Sequence, residues 1–236
     1  MQKLIIANWK MQLGVAASVK LARTLAPAAR RSAAAVVLCP SFPALAGVAA
    51  MVSKSTMLLG AQNLSTDDRG ALSGEVSGAD LYELGCHYVI VGHSERRALG
   101  ETDAVIRKKL IMAQKEKLIP ILCVGESAAA RKKGSAEVLV RKQLQAANGL
   151  RKFFVAYEPL WAIGSSNPAT PRNAKSMHAF IRRTLGTRAA GVLYGGSVTP
   201  ENAAAFLETP GIDGLLVGGA STKPTFARIL AAGGSH

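Results

Sequence analysis

The chain has 236 residues, 49% of them hydrophobic, which suffices for one large core or two small domains. It has no run of eighteen apolar residues, and its first apolar stretch is too short for the core of a signal peptide, so we expect a cytoplasmic protein. The formal charge of +14 raises the question of nucleic-acid binding. However, the basic residues occur as pairs and triplets along predicted helices without interleaved aromatics. Solvated helix faces explain this pattern better, so we do not expect a nucleic-acid partner.

Eight apolar runs recur along the chain, each rich in Val, Ile and Leu with little alternation, which is typical of strands buried on both faces. They are Leu4–Ala7, Ala35–Cys39, Met57–Ala61, Tyr88–Val91, Ile119–Val124, Phe153–Tyr157, Gly191–Tyr194 and Gly214–Val217. Segments with helical spacing separate them, such as Ser18–Ala29, Asp103–Lys117, Ala136–Ala147 and Asn173–Leu185. Alternating strands and helices imply parallel pairing, and eight such units predict a closed α/β barrel of the (β/α)8 type, in one domain spanning residues 1–236.

The three cysteines, Cys39, Cys86 and Cys123, lie far apart and include no Cys-x-x-Cys pair. Two of them close apolar strand-like runs, so we expect buried free thiols in a reducing compartment. The four histidines show no metal-ligand spacing. The sequence therefore predicts neither a disulfide nor a metal site.

The sixth apolar run ends in a carboxylate, Glu158. Pro159 disfavours helical backbone at the preceding residue, so Glu158 should remain extended at the strand's end. The apolar segment Leu160–Gly164 then suggests a lid over a base. A lone Glu-Pro pair is more often a surface Glu that begins a helix, so the interpretation depends on the other strand ends.

In a barrel of this type, the residues that follow the strands meet at one mouth. Asn8 and Lys10 follow the first strand, His93 and Glu95 follow the fourth, and Glu158 ends the sixth. Each also has a simpler explanation, such as a core histidine, a solvated lysine, a turn asparagine or a surface ion pair. Their convergence favours an acid–base site.

Glycine pairs follow the seventh and eighth strands, at Gly195-Gly196 and Gly218-Gly219. Without Cβ atoms, their backbone N–H groups can approach an oxyanion beside a helix N-terminus. A plain turn would also use glycine, but both pairs together, in these two loops, indicate a phosphate site.

Five motifs in this order closely resemble the triosephosphate isomerase family: Asn8–Met11, Gly92–Arg97, Ala156–Gly164, Tyr194–Val198 and Leu216–Ser221. The resemblance extends from residue 4 to about residue 230. It implies the (β/α)8 fold and the interconversion of dihydroxyacetone phosphate and D-glyceraldehyde 3-phosphate, without a cofactor. That family is itself the standard illustration of acid–base chemistry tuned by the protein environment.

By this resemblance, Glu158 is the base that moves a proton between C1 and C2, and a neutral His93 polarises the carbonyl and shuttles protons. Lys10 supplies positive charge to the developing oxyanion. Asn8 donates a hydrogen bond nearby, and Glu95 holds Lys10 in place.

The resemblance also implies phosphate-binding backbone N–H groups at Gly164, Ser197, Gly218 and Gly219. A lid from Pro159 to about Ala169 would close over the substrate. Where the family usually has Gly-Thr-Gly-Lys, Gly164 is followed by Ser165–Pro168, which should stiffen the hinge. The third loop, Asn63–Gly78, would reach into a second subunit, giving a homodimer.

Three rival interpretations remain. An aldolase or another phosphosugar isomerase would share the Gly-rich loops, although an aldolase needs a Schiff-base lysine, typically on the sixth strand, where this chain has none. A basic nucleic-acid-binding scaffold would show tight, salt-sensitive binding and no turnover. A barrel that has lost its activity is disfavoured by the intact Asn8, Lys10, His93 and Glu158.

Overall fold

The computed structural model describes residues 2–162 and 169–234, in which eight parallel strands form a closed barrel. The strands are β1 Leu4–Asn8, β2 Ala35–Cys39, β3 Leu58–Ala61, β4 Cys86–Val91, β5 Ile119–Val124, β6 Phe153–Tyr157, β7 Ala189–Tyr194 and β8 Gly214–Val217. Neighbours in the chain are neighbours in the sheet, and β1 closes the barrel by pairing with β8, with Leu4 opposite Gly214. The predicted (β/α)8 fold is confirmed.

Helices connect the strands on the outside of the barrel. Those of the described residues are α1 Val15–Arg31, α2 Phe42–Val52, α3 Gly78–Glu83, α4 Ser94–Ala98, α5 Asp103–Lys115, α6 Ala128–Lys132, α7 Ala136–Leu144, α8 Pro171–Leu185, α9 Ala203–Leu207 and α10 Phe226–Ala231. Short 3₁₀ turns lie at Gln145–Ala147, Leu160–Ala162, Gly186–Arg188 and Gly219–Thr222. None of the helices described is both long and apolar enough to cross a membrane.

The element boundaries differ from the predicted ones by a few residues. Four strands coincide with their apolar runs, whereas β4 begins two residues early, at Cys86. The predicted helix Asp103–Lys117 ends at Lys115, because Lys117 adopts a left-handed backbone with φ of 61°. The first helix is longer than its periodicity indicated, since its ends carry exposed residues that add little to the apolar pattern.

Two layers of apolar side chains fill the fold, as expected when strands are covered on both faces. The inner layer fills the barrel and includes Ile6, Val37, Cys39, Cys123 and Leu216. The larger outer layer packs the other strand face against the helices and includes Cys86. All three cysteines are free and buried, which confirms that prediction.

Candidate active site

The carboxyl ends of the strands surround a cavity of about 580 Å³. The predicted residues that line it are Asn8, Lys10, His93, Glu158, Ser197, Gly218 and Gly219. Parallel strands place their carboxyl ends at the same edge, so residues up to 211 positions apart in sequence meet there. The structure thus brings the predicted acid–base residues and the two Gly-rich turns to one mouth.

Glu158 is held at the end of β6 by its own backbone. Its N–H donates to the Val124 carbonyl at 2.7 Å, which continues the pairing of β6 with β5 by one residue. A Cβ atom at Gly125 would lie 1.8 Å from the Glu158 carbonyl oxygen, so only glycine fits beside it. The backbone around this carboxylate is therefore tightly determined.

Both oxygens of the buried Glu158 carboxylate accept a hydrogen bond. The Ser94 N–H, at the start of α4, donates to Oε2 at 2.9 Å. His93 Nε2 lies 2.9 Å from Oε1. The first turn of a helix favours negative charge, so this position suits an ionised carboxylate.

His93 caps α4, and its contacts indicate which tautomer it adopts. The Glu95 backbone N–H donates to Nδ1 at 3.2 Å, so Nδ1 carries no proton. We therefore assign a neutral imidazole whose proton is on Nε2, which donates to Glu158. The Glu95 carboxylate lies farther from Nδ1, at 3.5 Å, and does not change this assignment.

Lys10 adopts a left-handed backbone with φ of 50°, which is unusual for a residue with a side chain. The Gln62 amide donates to its carbonyl at 2.9 Å, and Asn8 Oδ1 accepts from its N–H at 3.2 Å. The ammonium group contacts Glu95 Oε1 at 2.5 Å. These contacts hold a positive charge at the cavity, and they place Glu95 beside Lys10.

The Gly-rich turns form the other wall of the cavity. A Cβ atom at Gly218 would lie 3.3 Å from Lys10 Cε, so the absence of a side chain leaves room for the lysine. Gly219 begins a 3₁₀ turn. The Ser197 hydroxyl donates to the Ala162 carbonyl at 2.7 Å and joins the β7 loop to the segment after β6. Gly164 and Ser165–Pro168 lie outside the described residues.

Sequence reasoning assigned no role to Glu126, a fully buried carboxylate that follows β5. Its Oε1 accepts from the Tyr157 hydroxyl at 3.0 Å, from Trp161 Nε1 at 2.8 Å and from Arg131 at 3.2 Å. Burial, followed by the Glu126 charge, raises the pKa of Tyr157, so this hydroxyl stays a donor. The Arg131 guanidinium also lies 4.4 Å from the centroid of the Trp161 ring.

The thiols near the mouth are not arranged as nucleophiles. Burial is the main cause that raises the pKa of Cys123, and the Glu158 charge adds to it. Burial is likewise the main cause that raises the pKa of Cys39, at the end of β2. A thiol that stays protonated is a poor nucleophile, so Cys123 acts as a packing residue. Among the described residues, no group of three His, Cys, Asp or Glu could hold a metal ion.

A family model described as triosephosphate isomerase matches residues 3–233. The chain belongs to the triosephosphate isomerase family. It is accordingly an isomerase, and the family's order of motifs coincides with the strand ends that surround the cavity.

Curated relatives cover almost the same length. The triosephosphate isomerase of Moorella thermoacetica is 47% identical over 96% of this chain and 97% of its own length. That of Chloroflexus aurantiacus is 46% identical over 96% and 97%, and that of Cupriavidus pinatubonensis 45% over 94% and 95%. Such coverage leaves little room for a large inserted or missing segment within the barrel.

Two further supports of the site were not assigned from the sequence. The Ser94 N–H that binds Glu158 is a backbone group, which has no side-chain signal. Gln62, whose amide also donates to the Cys39 carbonyl at 2.9 Å, directly follows the third strand. Its polarity directly after an apolar strand was the available signal.

Proposed function

We propose that Glu158, His93 and Lys10 carry out the reaction of the triosephosphate isomerase family in this chain. The reaction interconverts dihydroxyacetone phosphate and D-glyceraldehyde 3-phosphate, an aldose–ketose isomerisation used in glycolysis and gluconeogenesis. The observation that carries the residue assignment is the 2.9 Å contact between the neutral imidazole of His93 and the Glu158 carboxylate at the edge of the cavity.

Proton abstraction beside a carbonyl needs a base and an electrophile. Glu158 takes a proton from C1 of the ketose, and the C–H electron pair forms the enediolate while the carbonyl oxygen accepts a hydrogen bond from His93 Nε2. Glu158 then returns the proton to C2, and His93 moves a proton between the two oxygens. Since both Glu158 oxygens accept hydrogen bonds in this structure, substrate must replace at least one of them.

Lys10 stabilises the negative charge on the enediolate and the phosphate. A fixed charge that needs no reorganisation during the reaction is an effective electrostatic catalyst. Glu95 orients it through the 2.5 Å ion pair, although 57% of the Glu95 side chain is exposed. Asn8 stabilises the turn that carries Lys10 and presents its amide to the same cavity.

The phosphate binds at the wall formed by Ser197, Gly218 and Gly219, with Gly164 contributing from outside the described residues. Glycine backbones allow N–H groups to approach phosphate oxygens closely, and a short 3₁₀ helix, Gly219–Thr222, begins directly after Gly218. Lys10 lies beside this wall, so its charge acts on the phosphate as well as on the enediolate.

We also infer that the chain forms one domain and works in the cytoplasm. Two copies assemble into a homodimer through the loop Asn63–Gly78. Exposed apolar side chains near the expected contact support the assembly: Met11 is 94%, Leu99 76% and Leu72 45% exposed. Sedimentation equilibrium should give twice the mass of 24.6 kDa. A Leu72→Lys change should raise the monomer fraction, whereas a monomer in the unchanged protein would contradict the proposal.

Isomerase turnover with D-glyceraldehyde 3-phosphate, in a coupled assay, tests the residue assignment. Glu158→Gln keeps the size of the side chain but removes the base, so turnover should fall roughly 10²–10⁴-fold. Glu208→Gln, which changes an exposed carboxylate after α9, is the matched control and should be unaffected. Turnover in Glu158→Gln within tenfold of the unchanged protein would reject Glu158 as the base.

A further inference from the structure

The excess of positive charge is concentrated in one sector of the barrel. Residues 104–191 contain 17 of the 29 Lys and Arg but only four of the 15 Asp and Glu. They therefore account for +13 of the formal net charge of +14. Two of the four acids, Glu126 and Glu158, are buried, so the surface of this sector is even more one-sided than its composition.

The fold gathers many of these residues at the end of the barrel opposite the mouth. Each helix returns from the carboxyl end of one strand to the amino end of the next, so the last turns of α7 and α8 lie at the amino end. Those turns carry Arg141 with Lys142 and Arg182 with Arg183. Arg151, directly before β6, lies at the same end.

Backbone contacts join these groups into one surface. Gln114, on the last turn of α5, donates to the Arg151 carbonyl. The Lys152 N–H donates to the Arg188 carbonyl at 2.9 Å, which joins the segment before β6 to the segment before β7. We call the exposed Lys and Arg of the last turns of α5, α7 and α8, together with those of these two segments, the basic end.

Most charges of the basic end are not neutralised by the protein. Arg182 pairs with Asp213 and Lys115 with Asp68. Within the described chain, Lys142, Arg151 and Arg183 have no carboxylate within 4 Å. The helix dipole favours cations in a last turn, which explains Lys142 and Arg183 in part. It does not explain Arg151, which lies outside any helix.

We propose that the basic end binds the phosphate backbone of double-stranded nucleic acid without reading its sequence. Clustered Lys and Arg on one face of a protein are the electrostatic footprint of such binding. The sequence pattern alone favoured solvated helix faces, because pairs spread along the chain do not reveal that the barrel brings them together. This binding is separate from the isomerase site, which opens at the other end.

Other polyanions fit the basic end less well. Single-stranded nucleic acid needs aromatic platforms for stacking, and no described aromatic side chain of residues 104–191 is exposed. An anionic membrane surface needs apolar anchors beside the charges. The large apolar side chains exposed in this range, Ile111, Val138 and Leu160, lie singly on different elements, and Leu160 lies at the mouth, after β6. Binding to a duplex backbone requires positive charge but neither stacking nor anchoring groups, so it fits the basic end best.

The test compares two triple variants that remove the same three charges, one Lys and two Arg, from opposite sides of the barrel. The first changes the basic end: Lys142→Gln, Arg151→Gln and Arg183→Gln. The matched control changes exposed residues of α1: Lys20→Gln, Arg23→Gln and Arg30→Gln. None of the six side chains donates a hydrogen bond or forms an ion pair within the described residues, so both variants should fold and keep full isomerase turnover.

Fluorescence anisotropy with a labelled mixed-sequence DNA duplex, at about 50 to 200 mM salt, measures binding. Each lost phosphate contact flattens the plot of log Kobs against log salt by about 0.9, so the first variant should lose up to about 2.7 of the slope, and at least about tenfold in affinity. The control should stay close to the unchanged protein.

Three outcomes would overturn the proposal. Equal losses in both variants would mean that net charge alone attracts DNA. Tighter binding to phosphatidylserine vesicles than to the duplex would assign the basic end to membranes. Absence of measurable duplex binding at the lowest salt, in a protein with full turnover, would remove the proposal while leaving the isomerase assignment intact.

Discussion

Two buried carboxylates at the ends of adjacent strands have opposite surroundings. Glu126 follows β5 and accepts three donors on one oxygen, among them the Arg131 guanidinium. Glu158 follows β6 and accepts one hydrogen bond on each oxygen, from a backbone N–H and from a neutral imidazole. Among the described residues, no Lys or Arg lies within 4 Å of Glu158.

The difference agrees with the roles proposed above, a structural charge at Glu126 and a reactive one at Glu158. An arginine beside a carboxylate stabilises its charged form and fixes its position, which suits a support but not a base that must accept a proton. Glu126 accepts a hydrogen bond from Trp161, three residues after Glu158, so this carboxylate positions the segment that follows Glu158. The predictions below test this division of roles.

After Glu158 itself, the largest effect should come from the imidazole that donates to its carboxylate. His93→Asn keeps a good helix cap but loses the Nε2–H, and removing one such donor to a developing oxyanion costs roughly 10²–10³-fold in turnover. The coupled isomerase assay measures this loss. His87→Asn, the same change at an exposed position on β4, serves as control. A loss of less than tenfold in His93→Asn would show that another group polarises the carbonyl.

A second histidine, His178, packs against Tyr157, which is a partner of Glu126, and has no proposed role in the reaction. His178 is fully buried, 6.0 Å edge-on to Tyr157, and burial is the main cause that lowers its pKa to about 4. The Gly211 carbonyl and Asp213 raise this pKa, and Arg182 lowers it. The unfolded chain therefore binds a proton at His178 below about pH 6.5, whereas the folded state does so only near pH 4.

The free energy of unfolding should therefore fall by roughly 3 kcal/mol, from His178 alone, as the pH falls from about 6.5 to about 4. Above about pH 6.5, the titration of His178 should not affect stability. Urea unfolding at several pH values measures the slope. Because carboxylates also titrate in acid, the informative quantity is the difference from His178→Gln, which cannot titrate. Equal slopes in both proteins would contradict the assignment of a neutral buried His178.

How far the sequence could predict this division depends on the kind of contact. The strand ends, and the placement of Glu158, His93 and Lys10 at one mouth, were predictable because apolar runs and their terminal residues are local features. The role of Glu126 was not, because its partners Tyr157 and Trp161 lie more than thirty residues away and meet it only in the closed barrel.

Backbone geometry was the other limit. Lys10 adopts a left-handed conformation, and the Ser94 N–H donates to Glu158. Both features depend on φ and ψ, which side-chain patterns do not encode. The basic end shows the same limit for charge. The sequence lists every basic residue, but only the order of strands shows which of them share one end of the barrel.

Glu126→Gln should separate stability from chemistry. The amide keeps one oxygen for Tyr157 and Trp161, but it loses the charge opposite Arg131 and buries an N–H₂ group at the position of Oε2, which has no partner in the described structure. A buried unpaired donor costs about 1–3 kcal/mol, so the midpoint of urea unfolding should fall while turnover changes less than tenfold. Glu158→Gln should lose far more turnover for a comparable loss of stability, because its amide N–H₂ would also face an N–H donor in a buried position. If both variants lost turnover to the same extent, the proposed division between a structural Glu126 and a reactive Glu158 would be wrong.

The smallest effect is expected at Ser197, where a support and a phosphate contact share one residue. Ser197→Ala removes the hydroxyl that donates to Ala162 but keeps the backbone N–H assigned to the phosphate. Loss of one such hydrogen bond costs about 0.5–1.5 kcal/mol of stability, and KM should change little. Ser53→Ala, at an exposed position after α2, is the control for the substitution itself. A tenfold rise in KM for Ser197→Ala would place the hydroxyl on the substrate, and would move this residue from the structural to the reactive side of the comparison.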